Sequence, residues 1–436
     1  MFAEIKNNLV KKAKENNFTK SNIIKELFAN EDLKHKYPNE IRRSTFVGQI
    51  TNEVLAETGS QDICKIMAIG DIEYFGEHKK KWEKLVKNSI ANINIKYLTG
   101  YDLAGQGSKL FRDRIVDYMQ TYYDFLALDK EKISDDIVPT YGGTDGFVFI
   151  LNTLKGIYTD RKINFIYPES SFMANVKIAE TELGGENLFE IKKPIKNNFF
   201  VSRDQVAELY EQELNSNDIN IFYITPVGNP TGEKIDKKSI LEVLEFVASK
   251  DDNSVFIFDN VYVGLLKEAE SKSMFNEIFT DSRINKRIIF SESLSKTLGM
   301  TGFRVGWLWS LNQVFVSELK RNITLKKAGF SKLLNEFVVN ILSDLPYLTR
   351  FQTEVYNFWT LQRKSFYNEI KKNFAHLYNL EGSTQVLDRE GIYILLKIKN
   401  GLKTEDIFAE TGIIGVQINL SDGIYIRYAF GNVNYY

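Results

Sequence analysis

The chain has 436 residues, 43% hydrophobic and 13% aromatic, which is enough to build sizeable cores in two or three domains of an ordinary globular protein. Its 56 basic and 57 acidic residues leave a net charge of -1 and no basic run, which argues against generic nucleic-acid binding. A single cysteine, Cys64, excludes an internal disulfide, and His35, His78 and His376 form no cluster with metal-ligand spacing, so no metal site is expected.

The chain opens with MFAEIKNNLVKKAKENN, a polar amphipathic helix pattern rather than a signal peptide. No stretch reaches about 18 apolar residues, so no membrane partner is expected and a cytoplasmic location is the default. Residues 1–60 are charged and helical in pattern, broken at Pro38, and read as an N-terminal arm with a packing helix. From 61 to 320, short β-rich runs alternate with amphipathic stretches. The runs are Ile163 to Tyr167, Ile219 to Ile224, Ser254 to Phe258, Arg287 to Phe290 and Val305 to Trp309. Strands that stay apolar without alternation are expected where helices cover both faces. Lys237 to Lys250 carries apolar residues at helical spacing. This pattern predicts a large α/β domain with a mainly parallel sheet flanked by helices. From 321 to 436, helical patterns at Leu333 to Leu342 and Tyr356 to Tyr378 precede strand-like runs at Gly391 to Ile398 and Gly423 to Tyr428. A smaller α+β domain is expected there.

In an open parallel sheet, ligands bind beyond the carboxyl ends of the strands, and each strand candidate ends in polar residues. Tyr141-Gly142-Gly143-Thr144-Asp145-Gly146 leads into an apolar helix pattern whose first N–H groups can cradle a phosphate, although a Gly-Gly turn often only redirects the chain. Phe172 follows the strand INFIY and could stack on a flat ring or simply fill the core. Gly228-Asn229-Pro230-Thr231-Gly232 follows INIFYI, where an Asn-Pro turn is the plain alternative. Asp259-Asn260-Val261-Tyr262 follows SVFIF, and Asp259 could be no more than a helix cap. Finally, FSESLSKTLGMTGFRVGW places Ser293 before Lys296 and Arg304 after it. A lysine amine condenses with aldehydes, while arginine and serine grip phosphate oxygens. The cofactor that joins an aldehyde to a phosphate is pyridoxal phosphate. In that setting Asp259 would keep the pyridine nitrogen protonated, with Asn229 and Tyr262 on the ring's phenolic oxygen.

These motifs, in this order, resemble the fold-type I pyridoxal-phosphate enzymes of the class I and II aminotransferase family. The resemblance runs over roughly residues 65–430 and implies a seven-stranded sheet. It also implies a small domain built from the N-terminal segment and the C-terminal part. It implies that Lys296 forms the Schiff base with the cofactor and shuttles the substrate's α-proton. Gly143, Thr144, Ser293 and Arg304 would hold the phosphate. Tyr101, in YDLAGQGSKLFR, would reach the phosphate of the partner subunit's site, which implies a homodimer with shared active sites. Gly70, in Ile69-Gly70-Asp71, would lie over the substrate, and Arg427, in GIYIRYAFG, would clamp its α-carboxylate with Asn229 close by. The expected partners are an L-amino acid and a 2-oxo acid. The chain departs from the family pattern in places: Phe172 lacks the hydroxyl of a tyrosine, the spacing from Tyr101 to Gly107 is one residue longer than usual, and Thr411 to Gly423 is short, which leaves the substrate open. Aminotransferase activity is the leading expectation. The same residues would also serve a lyase, cyclase or oxidase of a modified amino acid. A non-catalytic sensing domain is disfavoured because residues 1–60 carry no basic DNA-binding module.

Overall fold

A computed structural model describes residues 2–16, 18–100, 105–123, 128–192, 201–265, 268–381, 383 and 391–433. Its centre is a sheet of β1 (Val138–Thr140), β2 (Ile163–Pro168), β3 (Leu188–Ile191), β4 (Ile219–Ile224), β5 (Val255–Asp259), β6 (Ile288–Ser293) and β7 (Gly306–Ser310). The spatial order is β1-β7-β6-β5-β4-β2-β3, and only β7 runs antiparallel to its neighbours. The missing alternation has a direct cause. In β5, Phe256 and Phe258 join the apolar cluster on one face while Val255 and Ile257 join the cluster on the other. Helix Gly143–Ile157 covers one face through Phe147, Ile150 and Leu154, and helix Lys237–Lys250 covers the other through Ile240, Val243 and Leu244. Burying each large side chain contributes roughly 1.5–3 kcal/mol. β3 escapes the sequence pattern because it is an edge strand with Glu190 exposed and Leu188 and Phe189 only half-buried.

The second body combines both ends of the chain. Helices Phe2–Asn16, Lys20–Ala29, Glu31–Lys36 and Glu40–Glu57 open it, with Pro38 in the break before the last of these. Where the sequence suggests an arm, Leu9 and Val10 are buried in one cluster with Ile23, Val47, Phe366, Leu396, Phe408 and Tyr428. Their partner is an antiparallel sheet of β8 (Tyr378–Asn379), β9 (Tyr393–Ile398), β10 (Val416–Leu420) and β11 (Gly423–Ala429), ordered β10-β11-β9-β8. The short stretch after Thr411 becomes edge strand β10, after Gly412 ends the preceding helix in the left-handed region at φ +66°. The long helix spans Leu345–Asn373, starting earlier and ending sooner than its periodicity predicts. Asp344 caps it by accepting from the Tyr347 N–H, and Tyr378 belongs instead to β8. A fourth cluster containing Tyr74, Phe351, Trp359, Tyr262 and Tyr393 joins the two bodies. Among the described residues no helix is long and apolar enough to cross a membrane.

Candidate active site

The carboxyl ends of β1, β2, β4, β5 and β6 share one edge of the large sheet, and β7 begins there. An open cleft enclosing about 1410 Å³, bulk solvent included, lies along that edge. Gly143, Thr144, Phe172, Asn229, Asp259, Tyr262, Ser293, Lys296 and Arg304 line it from the large body. Gly70 and Arg427 line it from the connecting segment and β11. Tyr101 lies outside the described residues.

Lys296 sits on the one-turn helix Leu294–Thr297 that follows β6 directly. Its Nζ donates to the Gly70 carbonyl at 2.5 Å and lies 3.4 Å from Asp71 Oδ1. Ser293 Oγ accepts from the Ser295 N–H at 3.1 Å and lies 2.8 Å from the Val305 carbonyl, so β6 ends in a tightly held turn. Arg304 takes the left-handed conformation at φ 56°, which brings its guanidinium against the turn after β1. Gly142, at φ +90°, is what permits this: a Cβ there would stand 2.8 Å from Arg304 Nη2. The turn leaves the first N–H groups of helix Gly143–Ile157 beside a guanidinium, a pairing suited to a phosphate. Asp145, in the same turn, is occupied by the Tyr141 N–H and by Lys327.

Asp259 closes β5. Its Oδ2 accepts from the Tyr223 hydroxyl at 2.5 Å and from Asn175 Nδ2 at 3.2 Å, and its Oδ1 from the Val261 N–H at 3.3 Å. Burial raises its pKa above the ordinary carboxylate value, while the Tyr223 hydroxyl and the Val261 N–H pull it back. An anion in that position gains from a cation brought to it. Phe172 begins the helix Met173–Leu183 that carries Asn175, so the aromatic ring and a partner of Asp259 arrive on one element.

Arg427 is buried on β11 at 3% exposure. It donates to Asn229 Oδ1 at 2.8 Å and to the Ala68 carbonyl at 2.6 Å, and its Nε has no hydrogen-bond partner among the described residues. Among the described residues no carboxylate pairs with it. A buried guanidinium satisfied only by neutral oxygens is costly and invites an anion. Tyr262 is buried, its hydroxyl 2.7 Å from that of Tyr393, and burial raises its pKa well above that of a free phenol.

Several lining residues escape sequence reasoning. Ser295 and Thr301 stand inside the lysine motif, and Ile41 and Arg42 reach the rim from helix Glu40–Glu57. Tyr393 and Asn175 line the cavity itself. Tyr393 and Tyr223 sit in apolar strands, where a tyrosine looks like core.

The donor set fits pyridoxal phosphate. Lys296 would offer the amine for its aldehyde, Asp259 a carboxylate for its ring nitrogen, and Asn229 and Tyr262 polar atoms for its phenolic oxygen. Gly143, Thr144, Ser293 and Arg304 would hold its phosphate, and Phe172 would offer an aromatic face.

Residues 67–423 match the family model described as aminotransferase class I and II. The chain is 25% identical over 242 residues to a 1-aminocyclopropane-1-carboxylate synthase of Nicotiana tabacum, covering 54% of this chain and 46% of that protein. It is 25% identical over 327 residues to 1-aminocyclopropane-1-carboxylate synthase 2 of Arabidopsis thaliana, covering 74% of this chain and 63% of that protein. It thus spans less than two thirds of the length of these curated relatives. The fold is similar to that of an aromatic aminotransferase from Pyrococcus horikoshii, with a TM-score of 0.66 at 17% identity, covering 85% of this chain and 91% of that one. The motif order, the cavity at the strand ends and the match over most of its length agree: the chain belongs to the class I and II aminotransferase family, whose cofactor is pyridoxal phosphate.

Proposed function

We propose that the protein transfers the amino group of an L-amino acid to a 2-oxo acid. The observation that carries this reading is Arg427, a buried guanidinium with no carboxylate partner among the described residues, lining the same cavity as Lys296 and Asp259. When bound, pyridoxal phosphate supplies an aldehyde for amines and a ring that draws electrons from the substrate's α-carbon. In this reading Lys296 Nζ holds the cofactor and, once the substrate amine displaces it, removes the α-proton. Asp259 keeps the ring nitrogen protonated. Asn229 and Tyr262 donate to the phenolic oxygen, and Phe172 stacks on the ring. Gly143, Thr144, Ser293 and Arg304 bind the phosphate, while Arg427 receives the α-carboxylate under the Gly70 segment and so sets which bond to the α-carbon is aligned for cleavage. The working unit in this reading is a homodimer with shared active sites, as the sequence motif around Tyr101 implies, which light scattering on the purified protein tests.

A second reading is supported by the curated relatives, which are named as synthases of a cyclic amino acid. The same lysine and aspartate would serve an elimination that closes a ring. Absorbance spectroscopy separates the two. Transamination requires that an amino acid alone changes the visible spectrum and that a 2-oxo acid restores it. Release of a cyclic product or ammonia, without that reversal, establishes the second reading in its place.

A further inference from the structure

A phenol has a single proton to donate. The oxygens of Tyr262 and Tyr393 are 2.7 Å apart, and either can be the donor. Both side chains are buried, at 8% and 3% exposure, and their rings meet edge to face at 73°, so the pair is held in place. Tyr393 comes from β9 of the small sheet, next to β11. There the Arg427 guanidinium lies 4.8 Å from the centre of its ring. A cation over a phenol face draws electron density from the ring and makes the hydroxyl the stronger donor of a pair. Arg427, set against the Tyr393 ring, thus favours Tyr393 as the donor of the shared proton, which would leave the proton of Tyr262 for the cavity. Gly70 packs directly on the Tyr393 hydroxyl, where any Cβ would overlap it.

We propose that Tyr393 is a positioning residue that donates to Tyr262 and thereby aims the Tyr262 proton at the phenolic oxygen of the cofactor. This rests on the reading of Tyr262 given above. A donor at that oxygen stabilises its anion and loosens the proton shared with the neighbouring Lys296 nitrogen. The test is a pH titration of the visible absorbance of the loaded protein. Tyr393→Phe removes one oxygen and keeps the ring, and its midpoint should rise by about half a unit or more, roughly a threefold change in proton affinity. Tyr262→Phe should raise the midpoint at least as far, and adding Tyr393→Phe to it should produce no further rise. An unshifted midpoint in Tyr393→Phe overturns the proposal, as does a rise that persists in full in the Tyr262→Phe background. Recovery of Tyr393→Phe unfolded, judged by far-ultraviolet circular dichroism, overturns it too, because the hydroxyl would then serve the fold. If the unsubstituted protein shows no visible absorbance with pyridoxal phosphate, the cofactor reading itself fails.

Discussion

A carboxylate at the end of a buried strand is a poor place for a negative charge, and Asp259 holds it there with two side-chain donors and one backbone N–H. Replacing it with Ala is expected to slow α-proton loss by several kcal/mol, about two orders of magnitude or more, while phosphate affinity stays. Stopped-flow spectroscopy of the half-reaction measures this, and unchanged rates would reduce Asp259 to a structural cap. Lys296→Ala is expected to abolish turnover together with the adduct that borohydride fixes, which peptide mapping would otherwise place at this residue. Glu292 is a carboxyl of a different kind. It is fully buried and accepts from Tyr122, Tyr123 and Trp309, and burial pushes its pKa up to about 7. The folded chain therefore binds a proton more tightly than the unfolded one. The stability this contributes is complete below the ordinary value near 4.5 and is lost as pH rises through about 7. Glu292→Gln should flatten that decline, which urea midpoints at about pH 5 and about pH 8 would reveal.

At the scale of elements, the turn from β1 into helix Gly143–Ile157 depends on one residue without a side chain. Gly142→Ala forces a Cβ into the left-handed region and against Arg304, so it should cost about 1–2 kcal/mol and weaken cofactor retention. Equilibrium dialysis of the cofactor checks this, and unaltered retention would remove the turn from the phosphate site. The site residues near strand ends were legible because Asp259 closes the apolar run of β5, while Asn229 and Lys296 stand in the polar turns that follow β4 and β6, so the change from apolar strand to polar turn marks where they lie. Tyr393, Tyr223 and Asn175 were not legible, because each sits inside an element whose pattern calls for core residues: Tyr393 reaches the cavity from the small sheet, while Tyr223 and Asn175 act through Asp259. The same limit applies to strands. β4, β5 and β6 announce themselves by burial on both faces, whereas β3 and β10 are edges with mixed side chains.

At the scale of the molecule, the two bodies are joined by a compact aromatic cluster in which Tyr74 contacts Phe351 and Trp359. Trp359 is 3% exposed, and Trp359→Ala should cost about 3–5 kcal/mol by leaving a cavity between them. Thermal denaturation reads that loss, and a change below about 1 kcal/mol would mean the bodies are held together elsewhere. The connecting segment beside that cluster carries a further implication. Met67 is paired on both sides, to Ile414 and Ala429, Ala68 accepts from Arg427, Gly70 accepts from Lys296, and Glu73 bonds to Gly431. One short ribbon is thus stitched to the small sheet at several points and to the lysine at one. A ligand seated on Arg427 therefore bears on the same ribbon that holds the free Lys296 amine, which places the two ends of the site on one support.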